Sequence, residues 1–131
     1  MNEELVYRRL VKPSDLNSGN RLFGGQMLSW IDENACTYVL CQLDRTRVVT
    51  SKVSEVNFIH PAKQADMLEF YASTIGKSRT TLTVRMRVMV KKVTIVDCSL
   101  VFVAIDENGS NALETLRTLP TSESTYLRLP S

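Results

Sequence analysis

"NRLFGGQMLSWIDENACTYVL", Asn20 to Leu40, decides how the rest of the chain must fold. No proline interrupts the chain from Phe23 to Leu43. Apolar residues recur there at helical spacing: Met27, Leu28, Ile31, Ala35, Tyr38 and Val39. The spacing predicts one long helix, entered through two glycines, Gly24 and Gly25, and closed by the polar break "LDRTR". A helix of about 20 residues is ~30 Å long. With apolar side chains around so much of its circumference, it needs cover from other elements.

The flanking sequence supplies that cover. Upstream, "EELVYRRLVKP" reads as a short edge strand closed by Pro13, and "SDLNSGNR" is dense in turn-forming residues. Downstream the period changes to two. "RVVTSKVSEVNFIH" is rich in Val, Thr and Phe and ends at Pro61, and "MLEFYASTIG" follows Asp66. "RTTLTVRMRVMVKK" puts Leu82, Val84, Met86, Val88 and Val90 on one face and Thr81, Thr83, Arg85 and Arg87 on the other. "TIVDCSLVFVAIDENG" places Val96, Cys98, Leu100, Phe102 and Ala104 on one face and ends in the turn signal "DENG". Consecutive strands on short links are antiparallel. The expected architecture is α+β: a curved antiparallel sheet of about five strands wrapped around one long central helix. It should form a single domain over residues 1–120, followed by a polar tail over 121–131 bounded by Pro120 and Pro130.

The totals agree with one soluble domain that owns a core: 131 residues, 44% hydrophobic and 23% charged. A formal net charge of +2 gives no argument for nucleic acid. The basic strand "VRMRVMVKK" lacks the interleaved aromatics that nucleic-acid binding would use. The cysteines, Cys36, Cys41 and Cys98, form no CxxC pattern, so neither a disulfide framework nor a zinc site is expected. The start, "MNEELVYRRLVKP", is too charged for a signal peptide, and no stretch approaches the ~20 apolar residues of a membrane helix. A cytoplasmic protein without membrane or nucleic-acid partners is the expectation.

Asp32 is the residue that this pattern does not explain. On the helix it shares a face with Leu28, Ala35 and Cys36. It is either a solvated edge beside Glu33 or a working carboxylate, and periodicity alone leaves both open. A carboxylate drawn out of water must be hydrogen-bonded or used, and a desolvated one is the better base. Gly24 and Gly25 lack Cβ atoms, so a ligand can approach the backbone where the helix begins. Unpaired N–H groups at such an end can stabilise an oxyanion. Gly25 and Asp32 are ~10 Å apart along the axis. Two helices packed antiparallel about a two-fold axis would bring one chain's glycines to the other chain's aspartate.

"LNSGNRLFGGQMLSWIDENA", "RVVTSKVSEVNFIHPA" and "GKSRTTLTVRMRVMVKK", in that order, resemble the hotdog-fold acyl-CoA thioesterases. The nearest group is the acyl-CoA hydrolases that include the brain-type cytosolic enzyme and its small bacterial relatives. The similarity runs from about Leu5 to Asn108. It implies hydrolysis of acyl-CoA to acid and CoA, with no metal and no cofactor apart from the CoA of the substrate. It also implies a homo-oligomer, with a dimer as minimal unit and often a trimer of dimers. Carried over by position, Asp32 matches the catalytic carboxylate and Asn17 the asparagine that faces the opposite chain's aspartate. Gly24 and Gly25 match the oxyanion turn. Ser78, Arg79 and Thr80 fall where the family contacts CoA, and Lys91 at the "VKK" strand end is a further candidate for its phosphates. The family's usual glycine before the aspartate opening the next strand is here Ala65.

Under this resemblance Asp32 acts as general base or as nucleophile, Gly25 N–H holds the carbonyl oxygen, and Asn17 orients the water or the carboxylate. Arg85 and Arg87 are read as solvated or as contacts between dimers. His60 is read as a turn residue, and Trp30 and Tyr38 as packing. A non-catalytic acyl-CoA-binding module is the alternative function. A dehydratase would want a histidine near the helix start, where none stands.

Overall fold

The computed structural model describes residues 3–22, 24–43 and 47–105. The tail at 121–131, the domain boundary at 120 and the "DENG" turn lie outside them. Six strands and one long helix follow in chain order: β1 (Glu4–Leu10), α1 (Gly24–Leu43), β2 (Val48–Val53), β3 (Asn57–Phe58), β4 (Met67–Lys77), β5 (Thr81–Val90) and β6 (Val93–Ala104). The sheet is antiparallel in the order β1-β4-β5-β6-β2, with β3 also paired to β6. The stretch expected to form one strand after the helix is two, because pairing with β6 lapses between Val53 and Asn57. There the Ser99 backbone N–H and Oγ both donate to Ser54 Oγ, each at 3.0 Å, and the link stays tied to β6.

The core sits between α1 and the concave face of the sheet. Alternation buries Leu82, Val84, Met86 and Val88 of β5 and Val96, Cys98, Leu100, Phe102 and Ala104 of β6. Met27, Trp30, Ile31, Ala35, Tyr38, Val39 and Leu43 of α1 are buried against them. Each large side chain contributes about 1.5–3 kcal/mol by leaving water. Leu28 belongs to the apolar spacing but is only half-buried, on the same side of the helix as Asp32 and Cys36. Tyr38 Oη reaches Thr74 Oγ1 at 3.0 Å, which satisfies both buried hydroxyls. Arg9 stacks on the Trp30 ring at 4.2 Å. No described helix is long and apolar enough to cross a membrane.

Arg85 and Arg87, read from the sequence as solvated or as contacts between dimers, each pair with a carboxylate of their own chain, and the Arg85 side chain remains 43% exposed. Arg85 grips both oxygens of Asp97 at 3.0 and 2.6 Å, and Arg87 grips both oxygens of Glu3. These guanidinium hydrogen bonds hold the Asp97 and Glu3 carboxyls below their ordinary values. The Lys12 backbone N–H does the same for Asp15. A carboxylate with a depressed folded pKa stabilises the protein above its unfolded value and ceases to do so as pH falls through the folded one. Denaturation midpoints in urea should therefore hold from neutrality to about pH 5 and decline through about pH 4 and below. Arg85→Ala should flatten that decline.

The turn before β4 explains how alanine replaces a glycine. Ala65 keeps the left-handed backbone at φ 74°. Its N–H donates to Val11 O at 3.0 Å, and Asp66 Oδ2 accepts from Lys63 N–H at 2.9 Å. The strain of this turn falls on the Ala65 backbone. Left-handed geometry costs an L-residue roughly 1–2 kcal/mol, and glycine's extra freedom when unfolded returns about 0.4–1. Ala65→Gly should raise stability by about 0.5–1 kcal/mol in chemical denaturation.

Candidate active site

Asp32 projects from the third turn of α1 toward β2, which closes one edge of the sheet path. In β2 the alternation points Val48 and Thr50 inward, and the pairing with β6 shifts register between Thr50 and Lys52. A bulge of this kind re-aims a side chain. Thr50 Oγ1 donates to Asp32 Oδ1 at 2.7 Å. Asp32 is half-buried, and no described residue bonds its Oδ2. Thr50 escaped the sequence reading. Its signal was a polar residue at an inward-facing strand position, which is legible only once the helix is known to lie above it.

A second group forms at the start of the helix. The loop entering α1 is a tight hairpin: Asn17 N–H donates to Arg21 O at 2.8 Å and Asn20 N–H to Asn17 O at 3.0 Å, with Asn20 at φ 63°. Asn17 Oδ1 accepts from the N–H groups of Gly19 at 2.8 Å and Arg21 at 3.2 Å. Only the amide oxygen can accept, so Nδ2 faces away with two donors and no partner among the described residues. Leu22 N–H donates to Ala62 O at 3.0 Å and fixes the entry to α1.

The helix begins at Gly24, so its first-turn N–H groups lack carbonyl partners within it. No acidic side chain occupies that turn, and the positive end of the helix dipole is left for a ligand. A Cβ at Gly24 would stand 3.8 Å from the Phe58 ring, an ordinary contact, so packing within the protomer does not require glycine.

Asn17 and Gly24 share a cleft of about 380 Å³ with Met27, Phe58, His60 and Val96. His60, expected as a turn residue, lies in a bend and also lines this cleft. Asp32 does not line it. One chain therefore brings the asparagine to the glycine and keeps the carboxylate apart, by ~10 Å along the axis from Gly25. Seven residues are almost two full turns, so Gly25 and Asp32 nevertheless lie on one face.

The residues suggested for CoA do not gather. Ser78, Arg79 and Thr80 form the β4–β5 turn, where Ser78 Oγ accepts from the N–H groups of Thr80 at 3.2 Å and Thr81 at 3.0 Å. Lys91 stands in the β5–β6 turn, at the far end of β5. Nine strand steps separate them by roughly 30 Å, so within one protomer they cannot hold the same phosphates. Among the described residues no group of three or more His, Cys, Asp or Glu side chains could hold a metal ion. Burial pushes the Cys98 thiol up to about 11, which makes it a packing residue at neutral pH.

The arrangement offers a positioned carboxylate, an amide donor and a positive helix end. These are the parts needed to attack a polarised carbonyl and to hold the resulting oxyanion. Known proteins agree with that chemistry. The family model described as "Thioesterase superfamily" matches residues 19–96. An uncharacterized acyl-CoA thioester hydrolase of Haemophilus influenzae is 31% identical over 125 residues, covering 88% of this chain and 77% of its own. The hexameric thioesterase y2039 of Yersinia pestis superposes with a TM-score of 0.79 at 29% identity, covering 85% of this chain and 94% of its own. HI0827, a hexameric broad-specificity acyl-coenzyme A thioesterase solved as an aspartate-to-alanine variant, gives 0.80 at 27% identity, covering 95% and 91%. A sheet wrapped on one helix in this strand order is the hotdog fold, and with most of its length matched, the chain belongs to the thioesterase superfamily.

Proposed function

We propose that the protein hydrolyses acyl-CoA thioesters to the free carboxylic acid and CoA, at sites shared by two protomers. The observation that carries this reading is the half-buried Asp32 carboxylate, gripped on Oδ1 by Thr50 with Oδ2 left without a described partner. A carboxylate restrained in this way has one oxygen in reserve for chemistry.

Pairing two copies of α1 antiparallel through the Gly25–Asp32 face sets each Asp32 beside the partner's helix start. The two-fold axis would cross midway, near Leu28 and Ser29. Leu28 is half-buried and Ser29 exposed in the protomer, which leaves this stripe free for a second copy. The hexameric assemblies of y2039 and HI0827 support a homo-oligomer with a dimer as the minimal unit and a trimer of dimers above it.

In this site the thioester oxygen accepts the first-turn N–H of Gly25, and the apolar cleft beyond Gly24 takes part of the substrate. Asn17 Nδ2 orients the water or the carboxylate. By the general-base route Oδ2 takes a proton as water adds to the carbonyl carbon. The tetrahedral oxyanion then collapses, the C–S bond breaks, and the CoA thiolate leaves with that proton. By the nucleophilic route Oδ2 itself adds, CoA departs, and water cleaves the anhydride. Neither route invokes a metal or cofactor.

Release of free thiol from acyl-CoAs of graded chain length, with light scattering on the same sample, tests the reading. No turnover of any acyl-CoA leaves only a binding module. Thr50→Val should lower kcat about 10–100-fold, the worth of one hydrogen bond to a charged group, with KM little changed. Thr50→Ser should restore most of it. A Thr50→Val enzyme of normal kcat removes the threonine from the machinery.

A further inference from the structure

The cleft of about 380 Å³ at the start of α1 has a floor and a rim of different chemistry. Met27, Ala62 and Val96 form the floor, and all three are buried. None of them offers a polar side-chain atom that could pair by a normal hydrogen bond. The Phe58 ring makes one wall and is half exposed. Arg21 and His60 stand at the rim, and both are exposed. Neither side chain has an ion pair or a hydrogen bond among the described residues. No described carboxylate lines the cleft.

The proposed reaction uses Asn17 and the helix start, and it leaves Arg21 and His60 without a task. By contrast, Arg8, Arg9, Arg85 and Arg87 are each paired with a carboxylate of the chain. The floor limits what can lie in the cleft. The pantetheine arm of CoA carries amides, which would be left unpaired against such side chains. A short hydrocarbon chain loses nothing there and gains by leaving water. The acyl side of the thioester is therefore the part that fits. Where that chain reaches the rim, its end meets an unpaired guanidinium and an imidazole.

We propose that this cleft selects acyl groups that end in a second carboxylate, so that CoA thioesters of short dicarboxylic acids are preferred over neutral thioesters of the same length. The proposal rests on the acyl-CoA reading and narrows its substrate class. The thioester carbonyl stays at the Gly25 N–H, and the methylenes lie over Met27 and Val96. The far carboxylate accepts from the Arg21 guanidinium, whose planar fork matches two carboxylate oxygens. Arg21 and His60 also border the neighbouring groove lined by Lys63 and Lys91, so the rival assignment is a contact with CoA itself. Such a contact would be common to every CoA ester, whereas recognition of the acyl end would not.

The test compares glutaryl- and adipyl-CoA with pentanoyl- and hexanoyl-CoA, their neutral matches in chain length, in the wild type and in Arg21→Gln. In at least one matched pair the wild type should show a higher kcat/KM on the dicarboxylic ester than on the neutral one. Arg21→Gln should lower that ratio about fivefold or more, a modest effect because the guanidinium is exposed. It should leave kcat/KM for the neutral esters within about twofold. Arg21→Lys should fall between the two, since it keeps the charge and loses the fork. A wild type that prefers the neutral ester in both pairs overturns the proposal, and so does a ratio unmoved by Arg21→Gln. An equal loss on all four esters overturns it too, because it assigns Arg21 to CoA or to the fold. Failure of the wild type on all four esters is a different result, and it removes the proposed function itself.

Discussion

Asp32→Asn should lower kcat on acyl-CoA by about 10²–10⁴-fold, the usual span for loss of a positioned proton acceptor. The substitution is chosen so that structure survives. Asparagine keeps an oxygen for the Thr50 hydroxyl, which lies 2.7 Å from Asp32 Oδ1. Only the charge and the reactive oxygen are lost. KM should move little, because the carboxylate acts on the transition state more than on the bound substrate. Thermal unfolding should be nearly unchanged, since the core face of α1 is formed by Met27, Ile31, Ala35 and Val39. Steady-state release of thiol from acetyl-CoA measures the effect. Near-normal turnover would return Asp32 to the status of a half-buried helical acid with a threonine neighbour.

The second expectation separates a shared site from a site within one chain. Asp32→Ala and Asn17→Ala homo-oligomers should each be nearly inactive. When the two variants are co-unfolded and refolded together, activity should return to about a quarter of wild type. Half of the random pairs are mixed, and in each mixed pair one of the two sites receives an intact aspartate from one chain and an intact asparagine from the other. Complementation needs the two residues to come from different protomers. In a site built from a single chain every copy carries one lesion, and mixing restores nothing. The geometry favours the shared site, because Asn17 and Gly24 line one cleft and Asp32 does not. Absence of recovery, with dimers verified by light scattering, would overturn the two-fold arrangement.

Legibility in the sequence followed period. The helix over Gly24–Leu43 and the alternation of β5 and β6 could be read from side-chain spacing, because burial on one face imposes a repeat of 3.6 or 2. The break between β2 and β3 could not, since Val, Thr and Phe continue through it and pairing with β6 fails only in three dimensions. Arg85 and Arg87 had the period of a polar face. Their partners, Asp97 and Glu3, lie 12 and 84 residues away, a separation that no local window spans.

The same division holds at the site. Sequence alone set Gly24, Gly25 and Asp32 on one helix in fixed order, because helical rise and twist are local properties. It also placed Asn17 in a turn ahead of them, since short polar side chains cap their own backbone. Tertiary structure alone brought Thr50 to Asp32 and His60 to the cleft, and it put Arg79 and Lys91 at opposite ends of β5. Those relations depend on how the sheet curls over the helix. That curl is fixed by strand register and packing summed over the whole chain, and no short stretch of residues encodes it.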